Sequence, residues 1–515
     1  MGNRSVRWLR LCLPAFVLLA ALAAARGGDD EIVAEFKKYF RQYKDTATRV
    51  EAVKTLEGAD TPAVVEALAP VLKMIEEPDV VRAAIGVIAK FKNEAAKLAV
   101  FAELDANKDE SVRVGLLQAM TLGKFTGANE TLKKLLTDKA WDLRRRAAEA
   151  LVASADATVG PALLPLCDDS EPAVRCAALE GLAALKDQTV LPHAIRSLGD
   201  DVWQVRSSAI LALKRVRHRD SIGPLIARLD AEQGRLTVEI GDALNEVTGM
   251  SFGTRLDMWK QFWANASANF QIPSDEQLAK LRAKQKEEAA KYKAKEKGTT
   301  YHGIETPSRR IMFVIDVSGS MENLVVEKER FEDGGYPSML RIDICKTELV
   351  RTIEALEDYV DYNVIAYATG VKQWKKDLVK ANVINKSSAV DWVRRLEAIG
   401  GASKEDLAQA GLTNSAALDQ GKTNTFGALS AALGAGGRGT KDKAYECDID
   451  TIFFLSDGRP TVGLYVDPND VLREVKELNK LRKVVIHTIA IGEFQKDFMK
   501  TLAEDNGGVF VDLGR

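Results

Sequence analysis

The first half of the chain carries a repeating pattern of apolar and polar positions. An aliphatic residue followed by arginine recurs every 31 residues, and each pair opens a segment rich in alanine and leucine. The pairs are Val81-Arg82, Val112-Arg113, Leu143-Arg144, Val174-Arg175 and Val205-Arg206. A second apolar segment follows in each unit, for example residues 160–166. Two short helices at a fixed period predict an α-solenoid, in which each unit buries its apolar face against its neighbours.

About six such units span residues 45–248, and they resemble HEAT repeats, although standard HEAT units are longer, at roughly 40–47 residues. The repeated arginines have two alternative roles. They could line a binding groove, or each could reach an acidic group or a helix end in the adjacent unit. Because a stacked array needs such a contact at every step, we expect the structural role.

The second half of the chain has a different pattern, which begins with an unbroken apolar run. Residues 311–315 are all apolar, and Asp316, Ser318 and Ser320 follow at once. Five apolar residues in a row cannot alternate between faces, so the run predicts a strand covered on both sides, as in a parallel sheet with helices above and below. Sheets of this kind bind ligands beyond the carboxyl ends of their strands. A carboxylate and two hydroxyls at that point predict a site for a hard cation.

Further segments agree with one known domain family. Thr423-Asn-Thr-Phe-Gly-Ala-Leu and a second buried strand that leads into Asp457 follow in order. Together with Asp-x-Ser-x-Ser at residue 316, these segments resemble the von Willebrand factor type A (vWA) domains and their metal-ion-dependent adhesion site. The resemblance covers residues 309–515. It implies a doubly wound, Rossmann-like α/β domain with a mainly parallel central sheet.

The resemblance also implies a ligand set and a partner. The metal residues would be Asp316, Ser318, Ser320, Thr423 and Asp457. The ion would be Mg²⁺, with Mn²⁺ or Ca²⁺ as alternatives. In the family, the hydroxyls bind the ion directly and the aspartates act largely through water. The poorly compensated cation then attracts an Asp or Glu of a protein partner, so the site is a docking device rather than a catalyst.

Two insertions depart from the family pattern. Residues 322–337 follow the first motif and are rich in Glu and Lys; they would gate the metal, extend the binding face, or form a disordered surface loop. Gly400-Gly401 is not followed directly by the expected threonine, because residues 402–422 intervene. Thr413 lies in a segment of nearly the same shape as the Thr423 segment. We prefer Thr423 because its spacing to Ala428-Leu429 fits the family better.

Residues 249–308 connect the two halves. Trp259 and Trp263 are four residues apart, which places them on one helical face, and we expect residues 249–273 to cap the open end of the solenoid. Residues 274–308 become strongly polar and predict a charged helical linker that holds the domains apart without fixing their angle.

The amino terminus has the layout of a secretory signal peptide over residues 1–25. Arg4, Arg7 and Arg10 precede the apolar stretch Leu11–Ala25, which ends in small residues. At 15 residues the stretch is shorter than the about 20 that a membrane-spanning helix needs. We therefore expect export to the periplasm or the extracellular space and no stable membrane span after cleavage, with an uncleaved anchor as the alternative.

Composition supports two folded domains and excludes some partners. Of 515 residues, 46% are hydrophobic and 28% are charged, which is enough material for more than one core. The net charge of −2 argues against a nucleic-acid partner. Four cysteines lie beyond the signal peptide, and Cys167 and Cys176 flank a turn between repeats, so their pairing is an open alternative.

An enzyme is not predicted. The four histidines are scattered, and the chain has no His-Glu-x-x-His, no Gly-x-Ser-x-Gly and no phosphate loop. The sequence therefore predicts an exported interaction or adhesion adaptor, with the repeat array as a second binding surface or a spacer. The alternatives are a subunit of a chelatase-like or ATPase-associated assembly and a structural scaffold whose metal site is empty. The oligomeric state stays open.

Overall fold

The computed structural model describes residues 28–291, 299–398, 421–434, 447–492 and 496–513. The predicted signal peptide, Thr413, and residues 402–420 of the second insertion lie outside these ranges. The chain divides into two compact units. The first consists of the residues up to Ser197 together with Leu211–Val216, and the second of Leu198–Ile210 together with Arg217–Arg515. Each unit is described by itself.

The first unit is helical, as the repeat pattern predicts. Its helices, including one that continues into the second unit, are α1 Asp29–Gln42, α2 Thr46–Lys54, α3 Pro62–Leu68, α4 Pro78–Ala89, α5 Glu94–Ala106, α6 Glu110–Gly123, α7 Asn129–Leu135, α8 Trp141–Ala153, α9 Gly160–Leu163, α10 Pro172–Ala184, α11 Leu191–Ser197 and α12 Trp203–Val216. Asp45, Asn93 and Asp109 accept hydrogen bonds from backbone N–H groups in the first turns of α2, α5 and α6. Such caps satisfy donors that a helix start leaves unpaired.

The repeated arginines join neighbouring repeats. Arg144 donates from Nε and Nη2 to the two carboxylate oxygens of Asp169, at 2.7 Å each. Its Nη1 donates to the carbonyl of Asp138 at 2.8 Å, just before its own helix. One period earlier, Arg113 donates to Oδ2 of Asp138 at 3.0 Å. Arg113 and Arg144 thus each reach an acidic residue of the following repeat, as the structural role predicts, whereas Arg82 pairs with Asp79 of its own repeat.

The second unit continues with four helices after α12. After α12 come α13 Ile222–Ala231, α14 Arg235–Thr248, α15 Leu256–Ala266 and α16 Asp275–Lys291. Trp259 on α15 is fully buried, and its Nε1 donates to the carbonyl of Gly253 at 2.9 Å. α15 packs against α13. Arg217, just after α12, pairs with Asp275 at the start of α16.

A β-hairpin follows α16 in the region for which a helical linker is predicted. Its strands are β1 Thr299–Tyr301 and β2 Ile304–Thr306. Tyr301 is 2% exposed, and its ring lies 5.5 Å from the rings of both Phe313 and Phe453. The end of the region is extended because Tyr301 buries its aromatic ring in the core of the following domain, a gain that polar composition does not reveal.

That following domain is built on a mostly parallel sheet. Its strands are β3 Arg310–Asp316, β4 Asp361–Tyr367, β5 Val371–Gln373, β6 Val379–Lys380, β7 Thr451–Ser456, β8 Val485–Ala490 and β9 Phe510–Asp512. The order is β5-β4-β3-β7-β8-β9, and β6 also pairs with β4. β3, β4, β7, β8 and β9 run parallel, while β5 and β6 are antiparallel to β4. The predicted fold class is confirmed.

Helices cover both faces of this sheet. They are α17 Arg341–Ala355, α18 Val383–Arg394, α19 Thr425–Ala432, α20 Pro468–Arg482 and α21 Lys496–Asp505. Successive residues of β3 enter opposite cores: Phe313 lies in one together with Leu349 of α17, and Val314 lies in the other together with Leu429 of α19. The unbroken apolar run is explained by burial on both sides, as expected.

The end of the sheet at which its parallel strands begin contacts α12 and α14. Trp203 of α12 is 7% exposed, and its Nε1 donates to the carbonyl of Cys447 at 3.4 Å. The guanidinium groups of Arg235 and Arg310 lie 4.9 and 5.8 Å from the centre of its ring system. Arg235 also donates to the carbonyl of Lys483 at 2.8 Å. These contacts stand at the starts of β3, β7 and β8, at the opposite edge from the strand ends that carry Asp316 and Asp457.

Cys167 and Cys176 are both buried and are not joined to each other, so the alternative of a disulfide between them is not realised. Burial raises the pKa of Cys167 to about 12, which keeps it a thiol. In the part of the chain that the structure describes, no helix combines the length and the apolar character that crossing a membrane requires.

Candidate metal centre

Asp316 is the last residue of the central strand β3, and its side chain is fully buried. Its Oδ1 accepts a hydrogen bond from the backbone N–H of Ser318 at 2.8 Å. Its Oδ2 accepts from Ser456 Oγ at 2.6 Å and from the Tyr367 hydroxyl at 3.3 Å. Burial, and then the negative charge of Asp457, raise the pKa of Asp316 to about 6. These hydrogen bonds therefore compensate the carboxylate only in part.

The two serines of the motif lie in the loop that follows β3. Their Oγ atoms are 3.2 Å apart, close enough for a hydrogen bond. Ser318 is 1% exposed, and Ser320 begins to face outwards within a short 3₁₀ turn, Gly319–Glu322. Ser320 Oγ donates to Asp457 Oδ1 at 2.7 Å. The hydroxyl pair is thereby connected to a second carboxylate.

Asp457 directly follows β7, which pairs with β3 in parallel. The carboxyl ends of the two strands therefore meet, and both aspartates reach the same point of the sheet edge. The Oδ2 of Asp457 accepts a hydrogen bond from Arg341 Nη1 at 2.8 Å, and both side chains are buried. Arg341 is the first residue of α17.

Thr423 is brought to the same place by hydrogen bonds on both sides. The backbone N–H of Asn424 donates to the carbonyl of Ala368, just past β4, at 2.9 Å. Thr461 donates from its N–H to the carbonyl of Thr423 at 2.9 Å and accepts the N–H of Thr423 on its Oγ1 at 2.8 Å. A β-carbon placed on Gly458 would lie 3.5 Å from Thr423 Oγ1 and 3.6 Å from Ser320 Oγ. The two hydroxyls thus border the same small space.

The five residues form an oxygen-only set. Three hydroxyls and two carboxylates suit a hard cation such as Mg²⁺, which binds oxygen ligands and commonly keeps several waters. Among the described residues, no group of three or more His, Cys, Asp or Glu side chains could hold a metal. Binding here would depend on the hydroxyls. The residues fit the predicted ion, and their role as ligands stays a prediction.

The insertion at residues 322–337 is a folded rim beside this set. Leu324 and Leu340 form an isolated antiparallel bridge, and Val325 N–H donates to the carbonyl of Met339 at 3.0 Å. Phe331 is 6% exposed, which anchors the middle of the insertion. Of the alternatives, a disordered loop is wrong. Because the insertion directly follows Ser320, it lies next to the hydroxyl pair.

Three residues that contact the candidate ligands were not predicted. Ser456 and Tyr367 end β7 and β4, the two strands that flank β3. Their positions were a usable signal, because the carboxyl ends of neighbouring parallel strands meet at one edge. Arg341 had no such signal. It follows the insertion, and only the folded path of the insertion brings its side chain to Asp457.

Comparisons with known proteins address the two halves of the chain. The HEAT-repeat family profile matches residues 98–171 and 160–244. Over 208 residues the chain is 25% identical to inter-alpha-trypsin inhibitor heavy chain H4 of Homo sapiens, a match that covers 40% of this chain and 18% of that protein. Over 204 residues it is 26% identical to von Willebrand factor A domain-containing protein 3A of Homo sapiens, covering 39% of this chain and 13% of that one. The matched part thus spans less than a fifth of the length of these relatives.

Among solved structures, the von Willebrand factor type A protein from Catenulispora acidiphila aligns with a TM-score of 0.28 and 17% sequence identity. The alignment covers 40% of this chain and 39% of that one.

Proposed function

We propose that this chain, which joins HEAT repeats to a von Willebrand factor type A domain, is an exported adaptor that binds an acidic group of a protein partner through a divalent metal ion. Asp316, Ser318, Ser320, Thr423 and Asp457 would hold the ion, with Mg²⁺ as the first candidate. The bound ion would offer a coordination position to a carboxylate oxygen of the partner. The HEAT repeats would serve as a second binding surface or a spacer.

One observation carries this proposal: two buried carboxylates and a hydrogen-bonded hydroxyl pair meet at the ends of two adjacent parallel strands. Buried carboxylates without full compensation are costly for a protein to keep. Burial, and then the charge of Asp457, raise the pKa of Asp316, which agrees with such a cost. A divalent cation placed against these oxygens would remove it, which is why the arrangement favours metal binding over an ordinary polar turn.

The site is proposed as a binding site and not as a catalytic one. The Ser318 and Ser320 hydroxyls lie within hydrogen-bond distance of each other, and Ser320 also donates to Asp457, so both oxygens lie beside the carboxylates where a cation would bind. A partner with exposed Asp or Glu fits a metal whose nearest ligands are uncharged. Nucleic acid does not fit, because phosphate recognition relies on basic surfaces and the chain has a net charge of −2.

The test is calorimetric titration of Mg²⁺ and Mn²⁺ into the full chain and into three variants. Asp316→Asn is expected to abolish metal binding, since it removes the buried charge while keeping the shape. Ser320→Ala is expected to weaken it at least about tenfold, because a directly bound oxygen is lost. Asp505→Asn, which changes an acidic residue elsewhere in the domain, serves as the control and should bind as the unmodified chain does. Absence of binding at millimolar metal would disprove the adhesion mechanism and favour the scaffold alternative.

Partner capture then separates adhesion from other uses of the same site. The immobilised chain is exposed to an extracellular extract with Mg²⁺ or with EDTA. We expect proteins that are retained only with Mg²⁺ and are lost with Thr423→Val, because the family's threonine binds the ion in the ligand-engaged state. Retention of an ATPase would instead favour the chelatase-like alternative, which does not require export.

A further inference from the structure

A buried arginine stands inside the candidate metal centre. The side chain of Arg341 is 9% exposed, that of its partner Asp457 is 0% exposed, and Nη1 and Oδ2 are 2.8 Å apart. Arginine keeps its charge under all ordinary conditions. The carboxylate pair therefore already has one cation beside it. This cation acts on Asp457, whereas Asp316 is held by the uncharged donors Ser456, Tyr367 and the backbone of Ser318.

The surrounding backbone leaves room for this guanidinium. A β-carbon on Gly492 would come within 3.2 Å of Arg341 Nη1 and 2.8 Å of the Asp457 carbonyl oxygen. Any larger residue at that position would push against the ion pair. The backbone N–H of Arg341 donates to the carbonyl of Asn323 at 3.0 Å, which fixes the helix start against the rim insertion.

The arginine is not fully satisfied where it lies. Its Nε is buried and has no hydrogen-bond partner among the described residues. A buried donor without a partner is unfavourable, so local hydrogen bonding alone does not account for the position of this side chain. Its interaction with the Asp457 charge does.

We infer that Arg341 is the resident counter-cation of the metal centre: it holds Asp457 in the metal-free protein and sets how tightly a divalent cation binds. Arg341 takes Oδ2 of Asp457 and leaves Oδ1, which accepts the Ser320 hydroxyl, towards the hydroxyl pair. Arg341 is thus a positioning residue that also cancels one negative charge. The part concerning metal affinity rests on the proposed function, whereas the part concerning the metal-free protein does not.

Two substitutions separate charge from position. Arg341→Gln keeps a hydrogen-bond donor and removes the charge, and Arg341→Lys keeps the charge. In EDTA, Arg341→Gln should lower the melting temperature of the full chain by roughly 3–8 °C, and Arg341→Lys should lower it less. Arg394→Met, on α18 of the same domain, removes an exposed arginine and is the matched control.

Metal titration gives the second readout. The Arg341→Gln variant should bind Mg²⁺ and Mn²⁺ at least about tenfold more tightly than the unmodified chain. The resident charge is removed in this variant, and like charges close together in a buried site repel strongly. Arg341→Lys should stay within about threefold of the unmodified chain, since its charge remains. The melting temperature of Arg341→Gln should also rise more on metal addition than that of the unmodified chain.

The outcomes are distinct. Unchanged melting of Arg341→Gln in EDTA overturns the role of Arg341 in the metal-free protein. Lower stability without tighter metal binding shows a purely structural arginine and overturns the affinity-setting role. If no variant and no unmodified chain binds metal, the proposed function fails, and the EDTA comparison still decides whether Arg341 holds Asp457.

Discussion

At the residue scale, burial decides the charge state of several side chains in the sheet domain. His487 on β8 stacks on Phe453 with ring centres 5.0 Å apart, and its Nδ1 accepts the backbone N–H of Val509 at 3.0 Å. Burial lowers the pKa of His487 to about 4, with a smaller contribution from the charge of Arg235. The imidazole is therefore neutral, and its role is to pack and to accept a hydrogen bond.

This gives a pH dependence with a definite sign. An unfolded histidine has a pKa of about 6.5, so acidification favours the unfolded chain, which takes up the proton first. The stability from neutral His487 is complete above about pH 6.5 and is lost as the pH falls towards about 4, in total roughly 3 kcal/mol. Urea unfolding at about pH 7 and about pH 5 should show His487→Gln losing less stability than the unmodified chain. The surface variant His218→Gln is the control, and equal losses in all three proteins would contradict this account.

The sequence located the site residues unequally. Asp316, Ser318 and Ser320 lie within one turn, so their convergence is a matter of local chain geometry. Asp457 and Thr423 were identified through family resemblance, and the structure brings both to the same point. Arg341 could not be predicted, because its position depends on the closed path of residues 322–337, and no period or motif encodes how an insertion folds.

At the element scale, Arg113 and Arg144 link their repeats to the following ones. Arg144 and Asp169 have side chains that are 13% and 9% exposed, so their two hydrogen bonds are shielded from water. Hydrogen bonding and charge attraction raise the pKa of Arg144, and the same contact helps to lower the pKa of Asp169. The period of 31 residues was readable from sequence because an aliphatic residue followed by arginine recurs at that spacing. The hairpin of β1 and β2 was not predicted, because its few buried side chains, those of Tyr301, Ile304 and Thr306, lie in a region that is otherwise polar.

Arg144→Met should therefore lower the free energy of unfolding of the helical unit by roughly 2–3 kcal/mol, because Asp169 and the Asp138 carbonyl lose a charged donor. The matched control is Arg196→Met in the same unit, whose ion pair with Asp168 is 58% and 56% exposed. Exposed pairs of this kind contribute about 1 kcal/mol or less. Chemical denaturation followed by circular dichroism measures both variants. Equal effects would show that the shielded contact adds nothing beyond a surface pair.

At the scale of the whole molecule, the last helices of the array are part of the second unit. Trp203 and Arg235 from α12 and α14 contact the segments that lead into β3, β7 and β8. Arg309 adds a hydrogen bond to Gln233, just before α14. The end of the array therefore contacts the sheet domain directly, whereas the linker predicted from the sequence would hold the two apart. Tryptophan and arginine positions inside a repeat gave no sign of such a contact.

Trp203→Ala should destabilise the sheet domain as well as the adjoining helices, by about 3–5 kcal/mol as for other buried aromatic truncations. The stability of Trp203→Phe should fall between those of the unmodified chain and of Trp203→Ala. The phenylalanine keeps a ring for the two guanidinium groups but loses the hydrogen bond to the Cys447 carbonyl. Hydrogen exchange followed by mass spectrometry should show faster exchange in β3, β7 and β8 of the alanine variant. Faster exchange confined to α12–α14 would show that the contacts do not stabilise the sheet.

The placement of β3 also has a mechanical consequence. Its first residue, Arg310, contacts Trp203, and its last residue, Asp316, belongs to the candidate metal centre. A partner that pulls on the ion while the helices are anchored would load this strand along its length, over about 20 Å. β3 pairs in parallel with β4 over seven residues and with β7 over five. Tension would shear these hydrogen bonds together rather than peel them apart one at a time, so the strand between the two attachment points is the one best placed to bear a load.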